Sequence, residues 1–217
     1  MSLTLKRGQV PSAESENWIL NIEEEKNFTF NLKVPLIVLQ KQTYKILTGE
    51  NENRIRIYLG IESKKTDNDF VLCAYAVPAF LLGSGDVFRD YESPVFKLEI
   101  ENTNKSAKTE QVLENIKRYR KWRLGETDRE NPFSRFRKFI YPNAFLLGKY
   151  ELHEIFNVQN KDEIQICFGI SKVMHSLIYT DIQETREFSD KSVVFNFGDL
   201  CPPDCDNSSI FNFKDEI

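Results

Sequence analysis

The chain reads as an α+β protein: two diverged repeats of a strand-helix-meander unit with mainly antiparallel sheets, joined by a basic helix. Three observations predict this. The phrase Ile55-Arg56-Ile57-Tyr58-Leu59-Gly60-Ile61 returns as Ile164-Gln165-Ile166-Cys167-Phe168-Gly169-Ile170, sharing the pattern Ile-polar-Ile-x-apolar-Gly-Ile. Further phrases match around it in the same order: Leu39-Gln40-Lys41 through Leu47 with Leu147-Gly148-Lys149 through Phe156, the apolar runs 70–77 and 176–182, and Val95-Phe96-Lys97-Leu98 with Val194-Phe195-Asn196-Phe197. Between the copies lies a segment of different, basic character. Internal self-similarity is weighed first because it sets the architecture.

Residues 1–16 are polar, with Gly8, Pro11 and three serines, and lack the apolar run of an export signal, so they read as a flexible leader. The first repeat occupies 17–104. Phe28, Phe30, Leu32 and Val34 alternate as a strand does, and residues 34–39 are apolar enough for a strand buried on both faces. A short helix follows, which Gly49 can end because glycine alone takes a left-handed backbone without steric cost. In the strand 55–61 the isoleucines and Leu59 share one face while Arg56 and Tyr58 share the other, the signature of a half-buried strand. The polar loop 63–69 lets the chain turn back into 70–77, which predicts a hairpin.

The basic helix and its linker span 105–138. Residues 107–123 contain no Gly or Pro, and Val112, Ile116 and Tyr119 recur at helical spacing. Glu110 and Glu114 come first and Lys117, Arg118, Arg120, Lys121 and Arg123 last, which suits the helix dipole. The second repeat, 139–206, opens on the apolar strand 144–147. In its helix Leu152, Ile155 and Phe156 fall on one face, and the match to the first copy needs one inserted residue here. Residues 207–217 read as a tail.

With 41% hydrophobic, 29% charged and 12% aromatic residues among 217, the chain has the composition of a globular protein. It contains no apolar run near the roughly 18–20 residues that a membrane helix needs, so it is expected to be cytoplasmic with no membrane partner. A chain of this size buries enough surface without staples, and Cys73, Cys167, Cys201 and Cys205 are therefore expected as free thiols.

The runs Ile116-Lys117-Arg118-Tyr119-Arg120, Phe145-Leu146-Leu147-Gly148-Lys149, Ile166-Cys167-Phe168-Gly169 and Phe197-Gly198-Asp199-Leu200-Cys201-Pro202-Pro203-Asp204-Cys205 resemble a family of uncharacterised bacterial proteins. That family shows a Tyr-Arg pair on a helix, an aromatic-rich strand before Gly-Lys, an Arg-Ile-Tyr-x-Gly strand and a closing Cys-Pro-Pro-x-Cys. The likeness runs from about Val112 to Cys205 and implies a fold unit but no activity. Gln165 and Cys167 stand where the family has Arg and Tyr, whereas Arg56 and Tyr58 of the first copy keep them.

Two features could carry chemistry. Cys201 and Cys205 are candidate metal ligands or a local disulfide, but a structural zinc site needs four ligands, and no second close pair exists, so a proline-fixed closing turn is the simpler reading. Residues 105–138 hold eleven Lys or Arg and five Asp or Glu, a charge of +6 in a chain of net −4. With Tyr119, Trp122, Phe133 and Phe136 interleaved, Lys117, Arg118, Arg120, Lys121, Trp122 and Arg123 could face a partner. Nucleic-acid modules are usually basic overall, however, and this chain is acidic.

Gly83-Ser84-Gly85-Asp86 lacks the Lys-Ser or Lys-Thr of a phosphate loop, and His153 and Glu154 are helical neighbours that do not face each other. Neither a catalytic residue nor a cofactor is expected. The expectation is a non-enzymatic protein-binding or scaffold module whose partner is a protein or a second copy of the chain. Nucleic-acid binding through the basic helix is the alternative, and a small-molecule enzyme a third.

Overall fold

The computed structural model describes residues 9–10, 17, 32–33, 37–50, 53–63, 70–83, 87–98, 104–124, 142–170, 176–182, 193–196, 198–201 and 205–212. They form two sheets and the helical segments described below, an α+β fold with antiparallel pairing almost throughout. The larger sheet runs in the order β13 (Gly198–Cys201), β9 (Ala144–Leu147), β4 (Arg54–Ser63), β5 (Phe70–Leu81), β7 (Phe96–Leu98) and β8 (Lys105–Ser106). β2 (Leu32–Lys33) lies parallel to the start of β5, and β6 (Phe88–Asp90) is antiparallel to its end. The smaller sheet runs β1 (Gln9–Val10), β12 (Val193–Asn196), β11 (Ser176–Ile182), β10 (Glu163–Ile170) and β3 (Ile37–Gln40).

The pairing crosses the halves of the chain. β3, from the first half, pairs with β10 of the second, while β9, from the second half, pairs with β4 of the first. Matching phrases also hold matching rungs. Val38 pairs with Gln165 and Ile37 with Ile166, as Leu146 pairs with Arg56 and Phe145 with Ile57. Farther across, Tyr75 pairs with Lys97 as Tyr179 pairs with Asn196, and Ala76 with Phe96 as Thr180 with Phe195. Both glycine-bearing isoleucine strands are thus interior strands with a neighbour on each side.

Helix α1 (Lys41–Thr48) follows β3 directly and ends at Gly49, whose N–H still donates to the Lys45 carbonyl at 3.0 Å and whose φ of 57°, open to glycine without steric cost, turns the chain out of the helix. Helix α2 (Thr109–Leu124) is the expected basic helix. Helix α3 (Lys149–His153) passes without a break into a π-helical turn, Glu154–Val158. The one-residue offset between the matched phrases falls here, and an i→i+5 turn holds one residue more than an i→i+4 turn. Asn160, at a φ of 56°, takes the place of the terminating glycine that this helix lacks.

One face of β4 sends Ile55, Ile57, Leu59 and Ile61 into a core shared with Leu39 and Leu47 of the first half and Phe145, Leu147, Leu152, Ile155, Phe156, Ile164 and Ile166 of the second. Tyr44 of α1 stacks on Phe156 of the π turn at 4.6 Å. Each such buried side chain contributes about 1.5–3 kcal/mol, so this core binds the halves together. The opposite face carries a second core of Tyr58, Cys73, Tyr75 and Val77 under Val112 and Ile116 of α2 and Phe211. α2 rests on β4 at Gly60, where a Cβ would lie 2.9 Å from Tyr75 Cε2 and 3.2 Å from Asn115 Cβ and Cys73 Sγ.

Three expectations change. Arg56 and Tyr58 were read onto the open face of a half-buried strand, but they are 1% and 0% exposed because α2 and the C-terminal segment cover that face. The expected tail is part of the structure as far as residue 212, with Phe211 fully buried. The expected leader supplies β1, where Gln9 pairs with Phe195 and Val10 with Val194. Phe28, Phe30, Val34 and the turn 84–86 lie outside the described residues. Gly60→Ala is expected to lower stability by about 1–3 kcal/mol, read from the urea midpoint, because the helix and the Tyr75 ring must both shift. An unchanged midpoint would mean that α2 is not seated there.

Candidate functional site

The outer face of β4 holds a buried polar cluster rather than a solvated surface. Strand alternation sends Arg56 and Tyr58 to this face, and the pairing of Ala79 with Asp90 brings β6 alongside them. Tyr58 donates its hydroxyl proton to Asp90 Oδ2 at 2.5 Å, and Ser209 Oγ lies 3.4 Å from the same hydroxyl. Arg56 Nη1 approaches Asp90 Oδ1 at 3.1 Å with both side chains 1% exposed, an ion pair whose angle is not that of a hydrogen bond. Arg56 Nη2 donates to the Phe88 carbonyl at 3.3 Å, while Arg56 Nε has no hydrogen-bond partner. Burial raises the Asp90 carboxyl above its ordinary range, and Arg56, Tyr58 and Ser209 only partly offset this. Burial, reinforced by Asp90, also raises the Tyr58 phenol.

Residues 205–212 close over this cluster. Asp206 accepts from Arg89 Nη1 at 3.0 Å, the Asp90 N–H at 2.9 Å, and the N–H and hydroxyl of Ser208 at 3.0 and 2.7 Å. Burial alone would raise the Asp206 carboxyl, but these donors outweigh it and hold the group below the usual carboxylate range. The Phe211 ring packs on Tyr58 at 5.4 Å, and Arg120 Nη2 donates to the Phe211 carbonyl at 3.0 Å and to Asn212 Oδ1 at 2.9 Å.

A second polar group fills the junction of β4, β5, β7 and α2. The Tyr75 hydroxyl donates to Glu62 Oε1 at 3.1 Å and accepts from Asn115 Nδ2 at 2.6 Å and the Cys73 thiol at 3.4 Å. Glu62 also pairs with Lys97 Nζ at 2.7 Å, nearer the surface. Burial pushes the Cys73 thiol up to about 12 and raises the Tyr75 phenol, which leaves both protonated and suits a structural role better than a nucleophilic one.

The sequence candidates do not converge on one surface. Lys117 and Lys121 are exposed, and Arg118 pairs with Glu114 at i, i+4 while reaching Asn115 Oδ1. Arg120 is 3% exposed and Tyr119 fully buried, its hydroxyl on the Pro142 carbonyl at 2.8 Å, so neither can face a partner. Trp122 and Arg123 lie in α2, but their side chains are outside the described residues. Cys205 is disulfide-bonded and Cys73 is a buried free thiol, so the expectation of free thiols holds at Cys73 and is corrected at Cys205. Cys201 belongs to β13, residues 202–204 lie outside the described residues, and an oxidised Cys205 offers no thiolate to a metal. Among the described residues no group of three or more His, Cys, Asp or Glu is arranged to hold a metal ion.

A shallow dent with room for about one water lies between α1 and α3, lined by Tyr44, Thr48, Asn53, Lys149, Leu152 and His153. Its Thr48 hydroxyl is spent on the Tyr44 carbonyl, and Glu154 accepts from Gln159 rather than orienting His153. Among the described residues no helix is long and apolar enough to cross a membrane.

The feature that alternation alone did not reveal is the end of the β5–β6 hairpin. Leu81, Leu82, Val87 and Tyr91 are 51%, 47%, 52% and 43% exposed on neighbouring positions, and the Tyr91 ring lies 4.6 Å from that of Phe80. β5 runs past the start of β4, whose Arg54 pairs with Ala79, so Phe80 and Leu81 have β6 beside them and, among the described residues, no rung on the β4 side. The signal lay in the sequence as the run Phe80-Leu81-Leu82 before Gly83 and the pair Val87-Phe88 after it. Compared with known proteins, the chain matches no family model, no curated protein and no solved structure.

Asp90→Ala is expected to cost about 3–5 kcal/mol in urea unfolding, because it leaves the Arg56 charge buried without its partner. The double replacement Arg56→Met with Asp90→Leu should be far milder. Losses of Arg56→Met and Asp90→Leu alone that simply add up to the loss of the double variant would show that the pair is not coupled.

Proposed function

We propose that the chain is a protein-binding module of the bacterial cytoplasm, built from two copies of one unit that share their sheets, and that it engages its partner through the β5–β6 hairpin. One observation carries this reading: Leu82, Val87 and Tyr91 stand 43–52% exposed on one face of one hairpin end, beside Phe80, while Leu81, 51% exposed, projects from the opposite face. Scattered apolar residues are ordinary on a surface, but a contiguous group on a projecting element marks an interaction site. The hairpin also offers strand edges, and an extended segment that adds to such an edge gains main-chain hydrogen bonds together with side-chain contacts. The matched registers across β3–β10 and β9–β4 support the duplication.

Nucleic-acid binding rests on less. Arg120 is turned inward, and among the candidates with described side chains Lys117, Lys121 and the Glu114-paired Arg118 stand toward the surface. That reading requires an affinity that falls steeply with salt, and an absence of any shift of DNA or RNA at low salt dismisses it.

The hairpin reading is tested with Leu81→Asp combined with Leu82→Asp. Unfolding stability should stay within about 0.5 kcal/mol for each such surface change, while capture of a partner or of a second copy falls by tenfold or more. Light scattering after size exclusion and quantitative pull-down read this. Wild-type chain that is monomeric and captures nothing, or capture unaffected by the double change, contradicts the reading.

A further inference from the structure

One side chain joins the outer strands of the two sheets. β3 is the outer strand at one side of the smaller sheet and β8 at one side of the larger, and Asn104 stands immediately before β8. Asn104 is 5% exposed, and both ends of its side-chain amide are engaged. Its Oδ1 accepts from the Gln40 N–H at 3.0 Å, and its Nδ2 donates to the Val38 carbonyl at 2.7 Å. Gln40 returns the contact, its Oε1 accepting from the Asn104 N–H at 3.1 Å. A carbonyl only accepts and a main-chain N–H only donates, so these partners fix which way the amide points.

The pattern is that of a strand. The Lys41 N–H is bonded to the Asp162 carbonyl at 2.7 Å, at the start of β10. Main-chain groups of successive residues in an antiparallel strand face alternate sides, so those of Gln40 and Val38 face away from β10. A neighbouring parallel strand would donate to the carbonyl before Leu39 and accept from the N–H after it. The Asn104 amide does both, with a side chain in place of a peptide group.

The second copy shows what this replaces. Gln40 matches Gly148 in the phrases Leu39-Gln40-Lys41 and Leu147-Gly148-Lys149, and glycine has no side chain to return such a contact. β9 carries instead a full strand, β13, along its side away from β4. β13 follows β12 after one residue, so on that side the chain itself passes from the smaller sheet into the larger. The larger core lies between, with Ile37, Leu39, Ile164 and Ile166 from one sheet and Ile57 and Phe145 from the other.

We infer that Asn104 and Gln40 form a side-chain rung that fastens β3 to the start of β8 and closes the two sheets into one continuous layer around the larger core, with Asn104 as the latch of that seam. Unpaired main-chain groups on an outer strand are a template for a foreign strand, and the latch takes the two that such a strand would use at Leu39. β3 is thereby withdrawn from strand addition, independently of what the β5–β6 hairpin binds.

Hydrogen exchange followed by NMR on the full chain tests the latch. In the native protein the Asn104 side-chain amide protons should exchange at least about tenfold more slowly than those of the exposed Asn207. Asn104→Ala should speed exchange of the Gln40 amide by about tenfold or more. The Lys41 amide, on the β10 side, and the Leu59 amide, bonded to the Asn143 carbonyl, should stay protected. Asn104 side-chain protons that exchange as fast as those of Asn207 overturn the inference, and this first measurement decides even where the alanine variant does not fold. A Gln40 amide unchanged by Asn104→Ala also overturns it, as does loss of protection at Gln40, Lys41 and Leu59 at one common rate.

Discussion

The structure depends on one constraint: each half of the chain completes the other's sheet with its own first strand. β3 hydrogen-bonds to β10 and β9 to β4, so neither glycine-bearing isoleucine strand has its full complement of neighbours until both halves are present. A strand needs partners on both sides to satisfy its main chain when it is buried, and here each partner arrives from far along the sequence. The helices inherit their places from this exchange. α1 leaves β3 and α3 leaves β9 immediately, which brings Tyr44 against Phe156 and closes the larger core from both halves at once. Long-range pairing of this kind is slow to form, because loop closure must be met before the contacts offset it.

The two faces of β4 are stabilised by different physics. One is a dry layer of isoleucine, leucine and phenylalanine in which burial alone suffices. The other buries a charge pair and two tyrosines beneath α2 and the C-terminal segment. A buried pair of charges is seldom a net gain over apolar residues of the same volume, because desolvation offsets the attraction. Here it lies under a segment fastened by Asp206 and Arg120, which keeps the pair from solvent.

Much of the order of elements could be read from residues alone. The strand at 55–61, the hairpin after it, the helix between the copies and the extra residue near Leu152 all left local marks: alternation, a polar loop, a run without Gly or Pro, and a shift of one in the matched phrases. The exchange left none, because Ile37-Val38-Leu39 is as apolar beside one isoleucine strand as beside the other. Alternation also told which residues share a face, not what covers it. Arg56 and Tyr58 therefore looked solvated, and Asp90, Asp206 and Ser209 could not be tied to them across such separations. The basic helix misled in the opposite direction: Arg120 stands four residues after Ile116 on the inward face, but its charge read as solvated, whereas it is buried and spent on the Phe211 carbonyl.

The exchange of first strands is tested most directly by inter-strand proton contacts in the NMR spectrum of the intact chain. The account requires cross-strand contacts between Leu39 and Ile164 and between Phe145 and Ile57. Main-chain ladder contacts of residues 37–40 with β4 and of residues 144–147 with β10 would contradict it, since each half would then close on itself.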